Sequence, residues 1–193
     1  MKGKSVIDVG SGVGHLFPML KELGASDIEG VEPSKRNVEY SRNLYSNIII
    51  HEGTLQNFIS EKLFDIVICI MAFEHILDVG NAFSHIVNII KPGGRFYLIF
   101  GDKDFHILNQ PPEIGVDVQE IGEGVVATKT IRRRENSTET MYDIFRPTQM
   151  FVSSGREFGF DLVKHVELTP LQGRDTLSWA GKPICHLIVL KRS

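Results

Sequence analysis

The residues most able to do chemistry sit at the start of the chain. Asp8 precedes Gly10, Ser11, Gly12 and Gly14, and the glycines recur at every second position. Val6, Ile7 and Val9 around Asp8 are β-formers, and Leu16, Phe17, Leu20 and Leu23 follow at helical spacing. A strand entering a glycine turn that opens a helix lets a ligand lie against bare main chain, which is the construction of a nucleotide-cofactor site. The dinucleotide fingerprint G-x-G-x-x-G fits poorly, because its third glycine would fall on His15. Glu32 lies 18 residues past Gly14, after Ile28-Glu-Gly-Val and before Pro33-Ser34. A carboxylate ending a second strand can accept both hydroxyls of a ribose. The plain alternatives are an ordinary βα turn and an exposed loop glutamate.

These groups need a framework, and the rest of the chain supplies strands and helices in alternation. Ser34 can cap a helix running to about Tyr45. Asn47–Ile50 reads as a third strand, with the loop His51–Leu55 after it. Phe64–Ile70 is a continuous apolar run, expected of a central strand covered on both faces. Val79, Phe83, Ile86 and Ile90 stripe the next helix, Lys91-Pro-Gly-Gly94 stops it, and Arg95–Phe100 is a fifth strand. Residues 101 to about 124 read as loop. Val125–Arg132 and Thr140–Phe145 read as two strands of a hairpin joined by the polar stretch 133–139. Pro147 opens a last helix ending at Gly159, then come a strand at Phe160–Leu168, a polar loop at 169–183 and a strand at Ile184–Leu190. No repeat or low-complexity linker divides residues 1–193, which read as one domain with an insertion at 101–146. An insertion after the fifth strand meets the edge where ligands bind. It could cover substrate, or be an ornamental hairpin that also builds a homodimer. Arg132–Arg134 could meet an anionic substrate or form a solvated tip.

Asp8-x-Gly10-x-Gly12-x-Gly14, the acidic end of the second strand, Glu74-His75 after the fourth, and Lys91-Pro-Gly-Gly94 before the fifth resemble the class I methyltransferases that use S-adenosylmethionine. The chain is similar to the small-molecule type 11 and type 12 methyltransferase domains over nearly all its length except 101–146. The resemblance implies an α/β, Rossmann-like, seven-stranded and mostly parallel sheet with a C-terminal antiparallel strand, plus a β-hairpin insertion after strand 5. It implies S-adenosylmethionine as cofactor, held by Asp8, Gly10, Ser11, Gly12, Gly14, His15, Glu32, Pro33, Gly53, Thr54, Leu55, Ile70 and Met71. Thr54 departs from the acidic residue that the family often carries beside the adenine; its hydroxyl or the Leu55 N–H could serve instead.

The reaction implied is SN2 transfer of the sulfonium methyl to a small-molecule acceptor, foremost a hydroxyl. His75 is then the first candidate base and Glu74 its orienter or an alternative base, with Phe73, His106 and Tyr142 facing substrate. The bland reading of His75 is a helix-start histidine bonded to backbone. Some quinone-type relatives use acidic and histidine residues here with a metal, but no full ligand set is legible, and no metal is expected. The Asn-Pro-Pro-Tyr of base and glutamine methylases is absent, and Gln110-Pro-Pro112 comes too late to replace it. N- or C-methylation of a small molecule, a non-catalytic cofactor-binding protein and a nicotinamide oxidoreductase are the other readings.

Bulk properties narrow the partners. A net charge of -3 without a basic tract disfavours nucleic acid. Cys69 and Cys185 lie far apart in apolar runs, as reduced thiols of a cytoplasmic protein do. No apolar run approaches the roughly 20 residues of a membrane span, and no signal peptide is visible. A first strand near residue 5 leaves no room for the helices that usually precede it in the resembled family; the expectation is a short variant or a piece of a longer chain.

Overall fold

The computed structural model describes residues 1–109, 114–121, 124–132, 138–170 and 181–193. Its frame is a seven-stranded sheet. β1 (Ser5–Val9), β2 (Asp27–Glu32), β3 (Ile49–Glu52), β4 (Phe64–Ile70), β5 (Ile90–Gly101), β9 (Phe160–Leu168) and β10 (Cys185–Arg192) lie in the order β3-β2-β1-β4-β5-β10-β9. The first five are mutually parallel, and β10 is antiparallel to both β5 and β9. This is the Rossmann-like sheet that the resemblance implies.

Helices cover both faces, and the side-chain alternation of the strands shows why. Val6, Ile66 and Ile68 turn to one face, where Phe17 and Leu20 of α1 (Phe17–Glu22) and Val38 of α2 (Lys35–Leu44) pack. Ile7, Val9, Val67 and Cys69 turn to the other, against Val79, Phe83 and Ile86 of α3 (Val79–Ile89) and Phe151 of α5 (Thr148–Glu157). Strands buried on both faces have no polar side, hence the unbroken apolar run at 64–70. Leu23 is half-exposed, so only Phe17 and Leu20 of the expected α1 stripe are core residues. Ser34 and Asp78 cap α2 and α3, each accepting from the N–H three residues on.

Successive strands run outward in one direction from β1 and in the other from β4. The sheet therefore switches between β1 and β4, and a crevice opens at their carboxyl ends.

Three expectations need correction. β3 spans Ile49–Glu52, because His51 and Glu52 keep pairing with Val31 and Glu32. The Lys91–Gly94 turn falls within β5: Ile90 pairs with Phe64 as a strand residue, and the register then shifts before Arg95 meets Ile66. Residues 101–124 are not simply loop. They hold α4 (Lys103–Leu108), capped by Asp102 accepting from the Phe105 N–H, and β6 (Ile114–Ile121). β6 pairs with β7 (Gly124–Arg132), which pairs with β8 (Thr138–Phe145), so the hairpin is a three-stranded antiparallel sheet. A six-residue helix carries too little periodicity to stand out; in β6, Ile114, Val116 and Val118 do alternate with Gly115, Asp117 and Gln119, but the strand is exposed along most of its length, so the alternation marks no buried face. Gln110–Pro112, Arg133, Arg134 and most of the loop 169–183 lie outside the described residues, as does the side chain of Arg132. Among the described residues no helix is long and apolar enough to cross a membrane.

Candidate active site

The glycine turn is pinned to β2 as it leaves β1. The N–H groups of Gly10 and Ser11 both donate to the Val31 carbonyl, at 2.8 and 3.1 Å. Gly10 has φ +75°, and a Cβ there would stand 2.5 Å from the Ala72 Cβ, so the loops after β1 and β4 meet at a residue that has no room for a side chain. Gly14 has φ +83°, and its Cβ would strike the rings of Phe17 and Tyr45 at 2.6 and 2.8 Å.

Glu32 ties this turn to the next helix. Its Oε2 accepts from the Gly12 N–H at 2.9 Å, and its Oε1 accepts from the Ser34 N–H at 3.0 Å and Asn37 Nδ2 at 3.1 Å. The side chain is buried. A carboxylate has about four acceptor positions, so three protein donors leave room for a ligand hydroxyl. Asp8 is buried in β1, beneath the turn. Burial first, and then the charge of Glu32, pushes its pKa up to about 7.

A cleft of about 680 Å³ lies over the ends of β1, β2 and β4. Of the expected cofactor residues, Gly10, Glu32, Pro33, Gly53, Thr54, Leu55 and Met71 line it, and His75 joins them. Asp8, Ser11, Gly12, Gly14, His15 and Ile70 are not among its lining residues. Ser11 packs against Gly30, where a Cβ would meet its Oγ at 2.7 Å. His15 points to solvent, and Ile70 packs against the α1–α2 side of the core. Gly53 is held by its N–H donating to the Glu32 carbonyl at 3.0 Å. Beside Gly12 and Gly53 there is open space, with nothing within 4 Å of an added Cβ. Met71 has φ +52°, which is unusual for a residue other than glycine and sets a strained backbone position at the cleft. Among the described residues the lining holds two carboxylates, Glu32 and Asp78, and neither lysine nor arginine.

The turn after β4 divides its residues between core and cleft. Phe73 is fully buried against Phe83, Phe96 and Phe151, so it is a core residue and does not face substrate. Glu74 is also buried. Its Oε1 accepts from the Gly101 N–H at 2.6 Å, and burial foremost raises its pKa above the ordinary carboxylate value. Through that bond it braces β5, while the His75 ring nitrogen is met by Tyr142 instead. His75 is half-exposed. Its Nδ1 lies 3.1 Å from the Tyr142 carbonyl and 3.4 Å from Asp143 Oδ1. The bland reading is thus satisfied at one ring nitrogen, while the ring remains on the cleft wall.

The insertion supplies these contacts from β8. Tyr142 contributes its carbonyl, with a largely exposed side chain, and does not line the cleft. His106 lies on α4, stacked on Phe145 with ring centres 5.9 Å apart, and also does not line it. Burial, and then the charge of Lys129, lowers the His106 pKa. Arg146 donates to the Leu77 carbonyl at 2.7 Å and fastens the insertion to the same loop. Asp143, its partner Lys129 at 2.5 Å, and the cleft residues Asp78 and Asn81 were not singled out from sequence. Asp78-x-x-Asn81 at a helix start is a readable cap; a charged pair bridging strands of an insertion leaves no such signal. Among the described residues no group of three or more His, Cys, Asp or Glu is arranged to hold a metal ion.

Known proteins resemble this chain in sequence and in fold. Ubiquinone biosynthesis O-methyltransferase of Dictyostelium discoideum is 31% identical over 120 residues, covering 54% of this chain and 37% of that protein. The ubiquinone biosynthesis O-methyltransferase of Rhodopseudomonas palustris is 34% identical over 99 residues, covering 49% and 38%. The chain thus spans under two-fifths of the length of these relatives. A solved S-adenosylmethionine-dependent methyltransferase from Mesorhizobium loti shares the fold, with a TM-score of 0.74 at 19% identity over 99% of this chain and 92% of that one. Residues 1–148 match the family described as methyltransferase domain, and the chain belongs to that family.

Proposed function

We propose that this chain transfers a methyl group from S-adenosylmethionine to a hydroxyl of a small molecule. The observation that carries the reading is the charge of the cleft: a glycine turn with Glu32 and Asp78 in the lining and, among the described residues, neither lysine nor arginine. A pyrophosphate cofactor calls for positive potential, whereas this lining suits a ligand bearing an ammonium and a sulfonium. The open space at Gly12 and Gly53 and the spare acceptor capacity of Glu32 fit an adenosine with a short zwitterionic tail.

When bound, S-adenosylmethionine supplies a methyl already activated by positive sulfur. Glu32 would accept the ribose hydroxyls, the loop 53–55 would meet the adenine, and the main chain of the glycine turn, with Asp8 beneath it, would hold the methionine portion. His75 does the proton work. The Tyr142 carbonyl can only accept, so Nδ1 carries the hydrogen and donates it, and Nε2 keeps the lone pair. Nε2 then takes the proton of the acceptor hydroxyl as its oxygen is methylated. The names of the curated relatives, O-methyltransferases of ubiquinone biosynthesis, support oxygen as the acceptor atom. Asp78 in the cleft lining and Asp143 beside His75 favour a second reading, in which a protonated amine is drawn in and methylated. Both cysteines are unpaired, which supports a reducing, cytoplasmic setting.

The test is calorimetric titration with S-adenosylhomocysteine, followed by product assays with phenols and primary amines. Micromolar binding, weakened by Asp8→Ala, and methylation of a phenol are expected. Folded protein that binds nothing overturns the reading, and turnover of amines alone replaces the hydroxyl by nitrogen.

A further inference from the structure

We infer that Asp143 and Lys129, both from the insertion, are positioning residues for His75, so that the insertion completes the base as well as flanking the cleft. The functional sense of this rests on the methyl-transfer reading above.

The geometry assigns the role by contact. His75 Nδ1 lies 3.1 Å from the Tyr142 carbonyl, and the charged partner that comes to the same nitrogen is not its sequence neighbour Glu74, which is buried with Oε1 on the Gly101 N–H. Asp143 comes instead from a strand 68 residues away, with Oδ1 3.4 Å from His75 Nδ1. Its other oxygen is held at 2.5 Å by Lys129 on the neighbouring strand. Both side chains are largely buried, at 11% and 13% exposure, so this pair is screened far less than a surface ion pair. Lys129 Nζ also lies 6.0 Å from the centre of the Phe145 ring, which limits where the ammonium can go.

Among the described residues the charged groups around His75 are Asp143 from β8, Glu74 from its own turn, Asp78 in the same cleft lining, and Lys129 one step behind Asp143. The chemistry follows from their order. A neutral imidazole with its hydrogen on Nδ1 presents the Nε2 lone pair. When Nε2 takes a proton, the ring becomes a cation with a carboxylate beside it, and half-exposed His75 returns that proton to solvent after turnover. Lys129 stops the carboxylate from swinging out of reach. Without the insertion docked, His75 has neither the Tyr142 carbonyl nor Asp143, and its tautomer is unspecified.

The test reads the imidazole directly and needs no acceptor. Protein labelled with ¹⁵N in histidine is examined by long-range ¹H–¹⁵N NMR, with the His75 signals assigned by their loss in His75→Asn. The expected wild-type state is the Nδ1–H tautomer. Asp143→Ala should lower that tautomer's share by about half, Lys129→Met by less, and Asp143→Glu should restore most of it. S-adenosylhomocysteine affinity, measured by calorimetry, should stay within about threefold in all three variants, because neither residue lines the cleft. An unchanged tautomer in folded Asp143→Ala overturns the inference. A wild type that shows the tautomer but binds no S-adenosylhomocysteine overturns methyl transfer and leaves the positioning result standing.

Discussion

The two ends of the cleft are built by different means. At the glycine-turn end, β1 and β2 are neighbouring strands, and main-chain N–H groups of Gly10, Ser11, Gly12 and Ser34 hold the turn and Glu32 in place. At the insertion end, His75 is held by contacts reaching 67 and 68 residues along the chain, to Tyr142 and Asp143. The first end is a consequence of the sheet and can change little without disturbing it. The second is a docking of one sheet onto another and can be rebuilt for a different acceptor while the cofactor end stays fixed.

The largest test of that division concerns two aromatics once grouped together as substrate contacts. Phe73→Ala should cost about 3–5 kcal/mol in urea unfolding, because a fully buried ring leaves a cavity among Phe83, Phe96 and Phe151. Tyr142→Ala, largely exposed, should stay within about 0.5 kcal/mol. A Phe73→Ala protein of near-normal stability would return that residue to the cleft.

Asp8 gives the next effect, and its sign is specific. Its folded pKa, about 7, lies above the ordinary value of 3.8. Between those two pH values the native state binds more protons than the unfolded chain, so stability falls as pH rises through that window. The cost at pH 8 is on the order of 4 kcal/mol, from about three pKa units. Asp8→Asn should flatten this slope and unfold later than the wild type at pH 8, while binding S-adenosylhomocysteine about tenfold less tightly. Such a gain in stability with a loss of binding would mark the carboxyl as kept for its ligand. Parallel pH profiles for the two proteins would remove the buried acid from the account.

Glu32→Ala probes the same end with a smaller change. Loss of the carboxylate should weaken S-adenosylhomocysteine by about 100-fold, or roughly 2.7 kcal/mol. Three protein donors lose their partner as well, so a stability loss of about 1–2 kcal/mol should accompany it. If stability falls and affinity does not, Glu32 only fastens the turn.

The contrast between the ends also explains what could be read before the fold was seen. The glycine spacing, the apolar run at 64–70 and the acid closing β2 are local patterns with backbone causes, so the succession of strands and helices was legible, and the resemblance those motifs carry implied the seven-stranded sheet. Seven of the expected cofactor residues line the cleft. Phe73 was misplaced because a turn residue beside Glu-His shows no periodicity that separates core from cleft. Asp143 and Lys129 stayed hidden because their meaning lies in a contact between distant segments; α4 is too short to announce itself, and the alternation of Ile114, Val116 and Val118 in β6 is brief and mostly exposed.

Thr54 tests the smallest effect, at the one point where the glycine-turn end departs from the expected acidic pattern. It is half-buried on the cleft wall, and its hydroxyl makes no capping bond to the short helical turn that follows, Leu55–Asn57. That hydroxyl is therefore available to a ligand. Thr54→Val keeps the side chain's shape and removes only this group, and a single neutral hydrogen bond is worth about 1 kcal/mol. S-adenosylhomocysteine affinity measured by calorimetry should then fall about fivefold, with melting temperature unchanged. A loss near 100-fold would give Thr54 the weight of a charged partner and make this end as dependent on side chains as the insertion end is. No loss at all would shift adenine recognition to the main chain of 53–55, which is what a wall fixed by the sheet would do most simply.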